Sequence, residues 1–132
     1  MMKWSKRGKH RLLRGTEGAT VVEFAIIVPV LLLILWGIVD FGNVYYQLSI
    51  VNEAAREGAR VAGVGGTLQS VTTAVKNFNN SLQVNMSPST PVSGQNVTVT
   101  VTNSVQIITP LISVFFPSNP FTVTGRSIMR VE

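Results

Sequence analysis

Apolar and polar positions follow three rhythms along this chain, and each predicts a different element. From Gly18 to Val39 the sequence reads GATVVEFAIIVPVLLLILWGIV, almost unbroken in its apolarity. With Ala19–Val22 included, the run reaches the roughly 20 residues that cross a bilayer as a helix. Glu23 is the only charge inside it. Pro29 removes one backbone donor, so a kink or loosened turn is expected there. Beyond Val39 the period is helical. Val44, Leu48, Val51, Ala55, Ala59 and Ala62 recur three or four residues apart and form an apolar stripe. Small residues are ordered as well: Ala54, Gly58 and Ala62 make one i,i+4 row, and Ala55, Ala59 and Gly63 the next. Such rows admit close approach of another helix or a sheet. Gly63, Gly65 and Gly66 predict the helix end. Thr20 to Gly63 as a single helix would be roughly 65 Å long.

Thr67 to Asn77 places Leu68, Val71, Thr72 and Val75 on one face, a short amphipathic helix weakened by its threonines. From Leu82 the period changes to two. LQVNM (82–86) alternates, and QNVTVTVT (95–102) puts Val97, Val99 and Val101 on one face and threonines on the other. Ser104 to Ile108 reads as a continuation or a partner strand. Pro110, Pro117 and Pro120 bracket an apolar loop, LISVFF (111–116), and Phe121 to Val131 offers a last strand with Gly125 as a bulge candidate. The expected fold class is α+β: a long N-terminal transmembrane helix extending into a small extracytoplasmic domain, with a short helix and a three- to four-stranded antiparallel sheet. The segments are 1–18, 19–63 and 64–132.

Charge adds an orientation. The chain of 132 residues carries a formal +5, but Lys3, Lys6, Arg7, Lys9, Arg11 and Arg14 all precede Gly18, opposed only by Glu17. From Ala19 onward, Arg56, Arg60, Lys76, Arg126 and Arg130 balance Glu23, Asp40, Glu53, Glu57 and Glu132. A basic arm can bind nucleic acid, but beside a membrane segment it sets topology. The reading is therefore a single-pass protein with its N-terminus cytoplasmic and its C-terminus outside, and no nucleic-acid partner. Trp36, Phe41, Tyr45 and Tyr46 suit the outer interface. The inviting small-residue junction for an export cut, Gly18–Ala19, comes before the apolar run, so a cut there leaves the hydrophobic helix on the mature protein.

Composition weighs against catalysis. There is no cysteine, and the only histidine is His10, in the leader. The exported part thus lacks the base of a nucleophilic triad, and no residues show metal-ligand spacing. Gly63, Gly65 and Gly66 are not followed by Lys-Ser/Thr, which excludes a phosphate loop. Glu53 with Arg56, and Glu57 with Arg60, read as i,i+3 pairs on a solvated face. No enzyme activity and no cofactor are expected.

Glu23 carries the sharpest signal. A carboxylate in a membrane helix costs on the order of 3 kcal/mol. One reading places it at the headgroup boundary, one turn into the run. The other gives it a cation: a cut after Gly18 would free the amine of Ala19, on the same chain or a neighbour.

The stretch RGTEGATVVEFAIIVPVLLLILWGIVDFG, followed by NEAAREGARVAG, resembles the TadE-like family. These are pseudopilins, or minor pilin-like subunits, of the tight-adherence (Flp) pilus system in bacteria. The match rests on GATVVEFA with Pro29 and on AAREGAR (54–60), within about residues 15–63. The resemblance implies a bacterial cytoplasmic-membrane protein processed by a prepilin peptidase. Gly18 would precede the cut, Ala19 would be the mature N-terminus, and Glu23 would be the assembly and recognition acid. Other pilin-like subunits and components of the tight-adherence apparatus are the implied partners. For Ala55, Arg56, Gly58, Ala59 and Arg60 two roles stay open, a solvated helix surface or packing against the sheet or a partner subunit. The alternative for the whole chain is an uncleaved single-pass protein whose outer domain binds partners in an envelope secretion complex.

Overall fold

The computed structural model describes Met2 and residues 13–132. Leader residues Lys3, Lys6, Arg7, Lys9, His10 and Arg11 lie outside the described residues, as does the side chain of Arg14. The elements run α1 (Leu13–Gly63), α2 (Leu68–Lys76), β1 (Gln83–Ser87), β2 (Asn96–Val105), a 3-10 turn (Ser113–Phe115) and β3 (Phe121–Arg130). The layout is α+β, with three strands. The chain divides into two compact units, one ending at Trp36 and the other running Gly37–Glu132.

The first unit is helical from Leu13 on, so α1 begins before the expected Thr20 and already includes Gly18. It passes through Pro29 without interruption of its helical assignment. Apolar side chains point outward on every side: Phe24 is 65 % exposed, Val30 56 %, Leu31 51 % and Ile34 52 %. Water disfavours such a surface by roughly 1.5–3 kcal/mol for each large side chain. By length and composition this helix is able to cross a membrane.

The second unit is built on the other end of α1. Val51, Ala54, Ala55, Ala59 and Ala62 are fully buried there. They pack with Val71 and Val75 of α2 and with Val97, Val99 and Val101 of β2. The sheet order is β1-β2-β3, all antiparallel. Period-two sequence decides its sides: in β2 every second residue from Val97 to Val105 is buried, leaving Thr98, Thr100 and Thr102 half-exposed on the other face. Ser104 and Val105 continue β2 and do not form a separate strand. Asn103 falls on the buried side, and its amide is satisfied at both ends. Its Nδ2 donates to Gln47 Oε1 at 2.9 Å, and its Oδ1 accepts from Ser81 Oγ at 3.2 Å.

Two glycine assignments carry physical content. Gly65 has φ +82°, Gly65 N–H donates to Ala62 O and Gly66 N–H to Val61 O, each at 3.0 Å. That is the Schellman closure, which caps the last carbonyls of α1. Gly125, in contrast, is not a bulge. The β2–β3 register is unbroken from Asn96↔Arg130 to Val105↔Phe121, with Val101 opposite Gly125. A Cβ there would collide with the backbone of Val51 and lie 2.7 Å from Asn52 N. Gly125 is needed because the α1 backbone crosses β3 at that point.

Candidate functional site

In the first unit, Gly18, Ala19 and Glu23 all lie on exposed turns of α1. A spacing of four puts Ala19 and Glu23 on the same face, one turn apart. Thr20, between them, spends its hydroxyl on Thr16 O at 3.0 Å. Among the described residues Glu23 has no hydrogen bond or ion pair. Gly18 is open, with nothing within 4 Å of where a Cβ would stand. Its peptide bond to Ala19 is inside the helix. Ala19 therefore offers an amide here, and only a cut at that bond would turn it into a cation.

In the second unit, AAREGAR divides by helix face. Ala54, Ala55, Gly58 and Ala59 are buried. A Cβ on Gly58 would touch Val75 Cγ2 and Val99 Cγ1 at 3.0 Å and Val71 Cγ1 at 3.3 Å, so this row is where α1 receives both α2 and β2. Arg56 and Arg60 face solvent. Arg60 grips Glu57 in a bidentate pair, Nε to Oε2 at 2.9 Å and Nη2 to Oε1 at 2.5 Å. The hydrogen bond from Arg60 holds the Glu57 carboxyl below its ordinary range, and Glu57 raises Arg60 in return. Glu53 and Arg56 share no ion pair among the described residues.

One polar residue escaped the sequence reading. Asp40 follows directly on the apolar run and is only 3 % exposed. No cation faces it. Its Oδ2 accepts the backbone N–H of Thr109 at 2.7 Å and that of Ile108 at 3.2 Å. Burial opposes its charge, but the hydrogen bonds from the Thr109 and Ile108 backbone N–H groups, with the Thr109 hydroxyl close by, outweigh it and hold the carboxyl below its usual value. The Thr109 hydroxyl is buried beside the carboxylate without a hydrogen bond of regular geometry. A signal was present: an acid at the edge of an apolar run, with Gly37, Trp36, Asn43 and Val44 at the helix-neighbour positions and no base among them.

Among the described residues no group of three His, Cys, Asp or Glu side chains converges to hold a metal. In comparison with known proteins, residues 18–60 match a family model described as TadE-like protein. The matched stretch contains both the exposed Gly18–Glu23 turns and the AAREGAR face. No curated protein and no solved structure matches the chain.

Proposed function

With residues 18–60 carrying the TadE-like pattern, we propose that this chain is a membrane-anchored, pilin-like protein that takes part in assembling a tight-adherence (Flp-type) pilus. The family match points to a pilus-associated, pilin-like protein; its place in assembly and its processing are our reading. One observation carries it: the Glu23 carboxylate has no partner among the described residues, on an exposed apolar helix one turn from Ala19. A lone carboxylate in hydrocarbon is disfavoured by about 3 kcal/mol. A prepilin peptidase cutting after Gly18 would supply an ammonium group at Ala19, on this chain or a neighbour. Charge pairing across subunits in low dielectric would then favour the assembled state.

The helical state of the Gly18–Ala19 bond bears on this step. A peptidase needs the bond unwound, and glycine is the residue that makes unwinding easy. It weakens a helix interior by about 1 kcal/mol relative to alanine, and here no packing holds the turn. The basic leader, retained on the cytoplasmic side, orients the chain with its C-terminus outside. We read the role as structural, with partners among pilin-like subunits and components of the pilus apparatus. Intact-mass analysis of membrane protein co-expressed with a prepilin peptidase tests the processing. The expected species begins at Ala19. Full-length chain alone would leave the uncleaved envelope-complex reading in its place.

A further inference from the structure

The connection between β2 and β3 is an ordered loop turned inside out. Its base is closed by Asn119, whose Oδ1 accepts the Ile107 N–H at 3.1 Å and whose Nδ2 donates to Ile107 O at 3.1 Å. Asp40 holds the next two amides. Within the loop, Ser113 N–H donates to Thr109 O, Phe115 N–H to Ile112 O and Phe116 N–H to Ser113 O, and the Ser113 hydroxyl donates to Pro110 O at 2.8 Å. Phe116 packs edge-on against Phe121, with ring centroids 5.0 Å apart. Yet the apolar side chains of this ordered segment face outward: Ile108 is 74 % exposed, Leu111 60 %, Val114 80 % and Phe115 85 %.

The loop's position says what covers it. Ile112 sits against Gly37, where a Cβ would collide with its Cδ1, and Asp40 is one turn further along α1. Gly37 and Asp40 mark the outer end of the apolar run, where Trp36, Phe41, Tyr45 and Tyr46 are also exposed. The loop therefore lies against Gly37 and Asp40, at the end of the apolar run within this unit. Its chemistry fits that place. No charged residue occurs between Asn77 and Gly125, and the hydrogen bonds above lower the penalty of taking its backbone out of water.

We propose that residues 108–116 are a second membrane contact, which seats Leu111, Val114 and Phe115 in the headgroup/acyl boundary of the leaflet beside Gly37–Asp40. The proposal rests on the reading that the apolar part of α1 spans a bilayer. Asp40 is then the latch that presents the loop to lipid. A single-pass anchor alone leaves a head free to tilt and spin; a second contact fixes its height and restricts its tilt.

The chain lacks cysteine, so single-cysteine variants of the full protein report depth directly. Phe115→Cys, Leu32→Cys and Ser89→Cys would each be labelled with an environment-sensitive dye in phospholipid vesicles, with nitroxide carried on the lipid near the headgroup or deep in the chain. Ser89 is exposed in the β1–β2 connection, at the end of β2 roughly 30 Å from the loop. The expected result is a blue-shifted emission at position 115 that shallow nitroxide quenches more than deep nitroxide, quenching at position 32, and neither effect at position 89. Position 115 as water-exposed as position 89, with position 32 quenched, overturns the proposal and leaves the span intact. Position 115 shielded but unquenched by lipid assigns the loop to a protein neighbour and overturns it too. Absence of quenching at position 32 removes the span reading and the proposal together.

Discussion

The backbone N–H of Thr109 donates to Asp40 Oδ2 at 2.7 Å, joining the end of the apolar run to a loop 69 positions further along the chain. The bond is charge-assisted and buried. Asp40→Ala leaves the Ile108 and Thr109 amides without an acceptor, a change that costs about 1–3 kcal/mol. In detergent micelles, amide exchange at both residues should accelerate by about tenfold to a hundredfold, while exchange at Val99 stays slow.

The same latch responds to acid. A carboxyl whose folded pKa lies below its unfolded value contributes stability above the unfolded pKa, about 3.9, and that contribution is lost as pH falls through the folded value. Asp40 is such a group. The loop should therefore stay closed at neutral pH and loosen only below about pH 4. Amide NMR shifts of Ile108 and Thr109, followed through an acid titration, should move with a midpoint below the ordinary Asp value. Asp40→Asn should abolish that movement.

Gly125 gives a stability prediction of opposite sign to its neighbour in kind, Gly42. Gly125→Ala drives a methyl into the Val51 backbone and should destabilise the Gly37–Glu132 unit by about 1–3 kcal/mol or more. Gly42→Ala, with nothing within 4 Å, should be neutral or stabilising by up to about 1 kcal/mol. Urea midpoints of the full chain in micelles compare the two.

The AAREGAR arginines are predicted to be dispensable for folding. Arg56 and Arg60 are solvated, and the Glu57–Arg60 pair is exposed, so salt and water screen it. Arg56→Ala and Arg60→Ala should leave the thermal midpoint unchanged. An assembly defect in either variant would then report a partner contact, whereas a defect in Gly58→Leu would report the lost packing of Val71, Val75 and Val99.

The local parts of this fold were readable because their causes are local. Val97, Val99 and Val101 alternate with threonine, and a half-buried strand demands that rhythm. The glycines at 63, 65 and 66 point to the closure of α1, where Gly65 takes φ > 0 at no steric cost. Gly125 was misread, since a strand glycine signals either a bulge or a close backbone, and only the fold shows that Val51 arrives there. Asp40 is legible as an unpaired acid at the edge of the apolar run, but its partners are not: they are backbone amides, which have no sequence signature. At Gly18 and Glu23, spacing was legible, but the early start of α1 at Leu13 was not, because the basic leader carries no helical apolar period.

Glu23→Ala, expressed in a piliated bacterial host in place of the intact chain, tests the proposed function most directly. If this acid pairs with an Ala19 amine released by the cut, the variant should insert in normal amount, with pili and subunit cross-links reduced by about tenfold or more, the change that 1.4 kcal/mol makes in an equilibrium. Normal pilus number with normal cross-linking in that variant would contradict it.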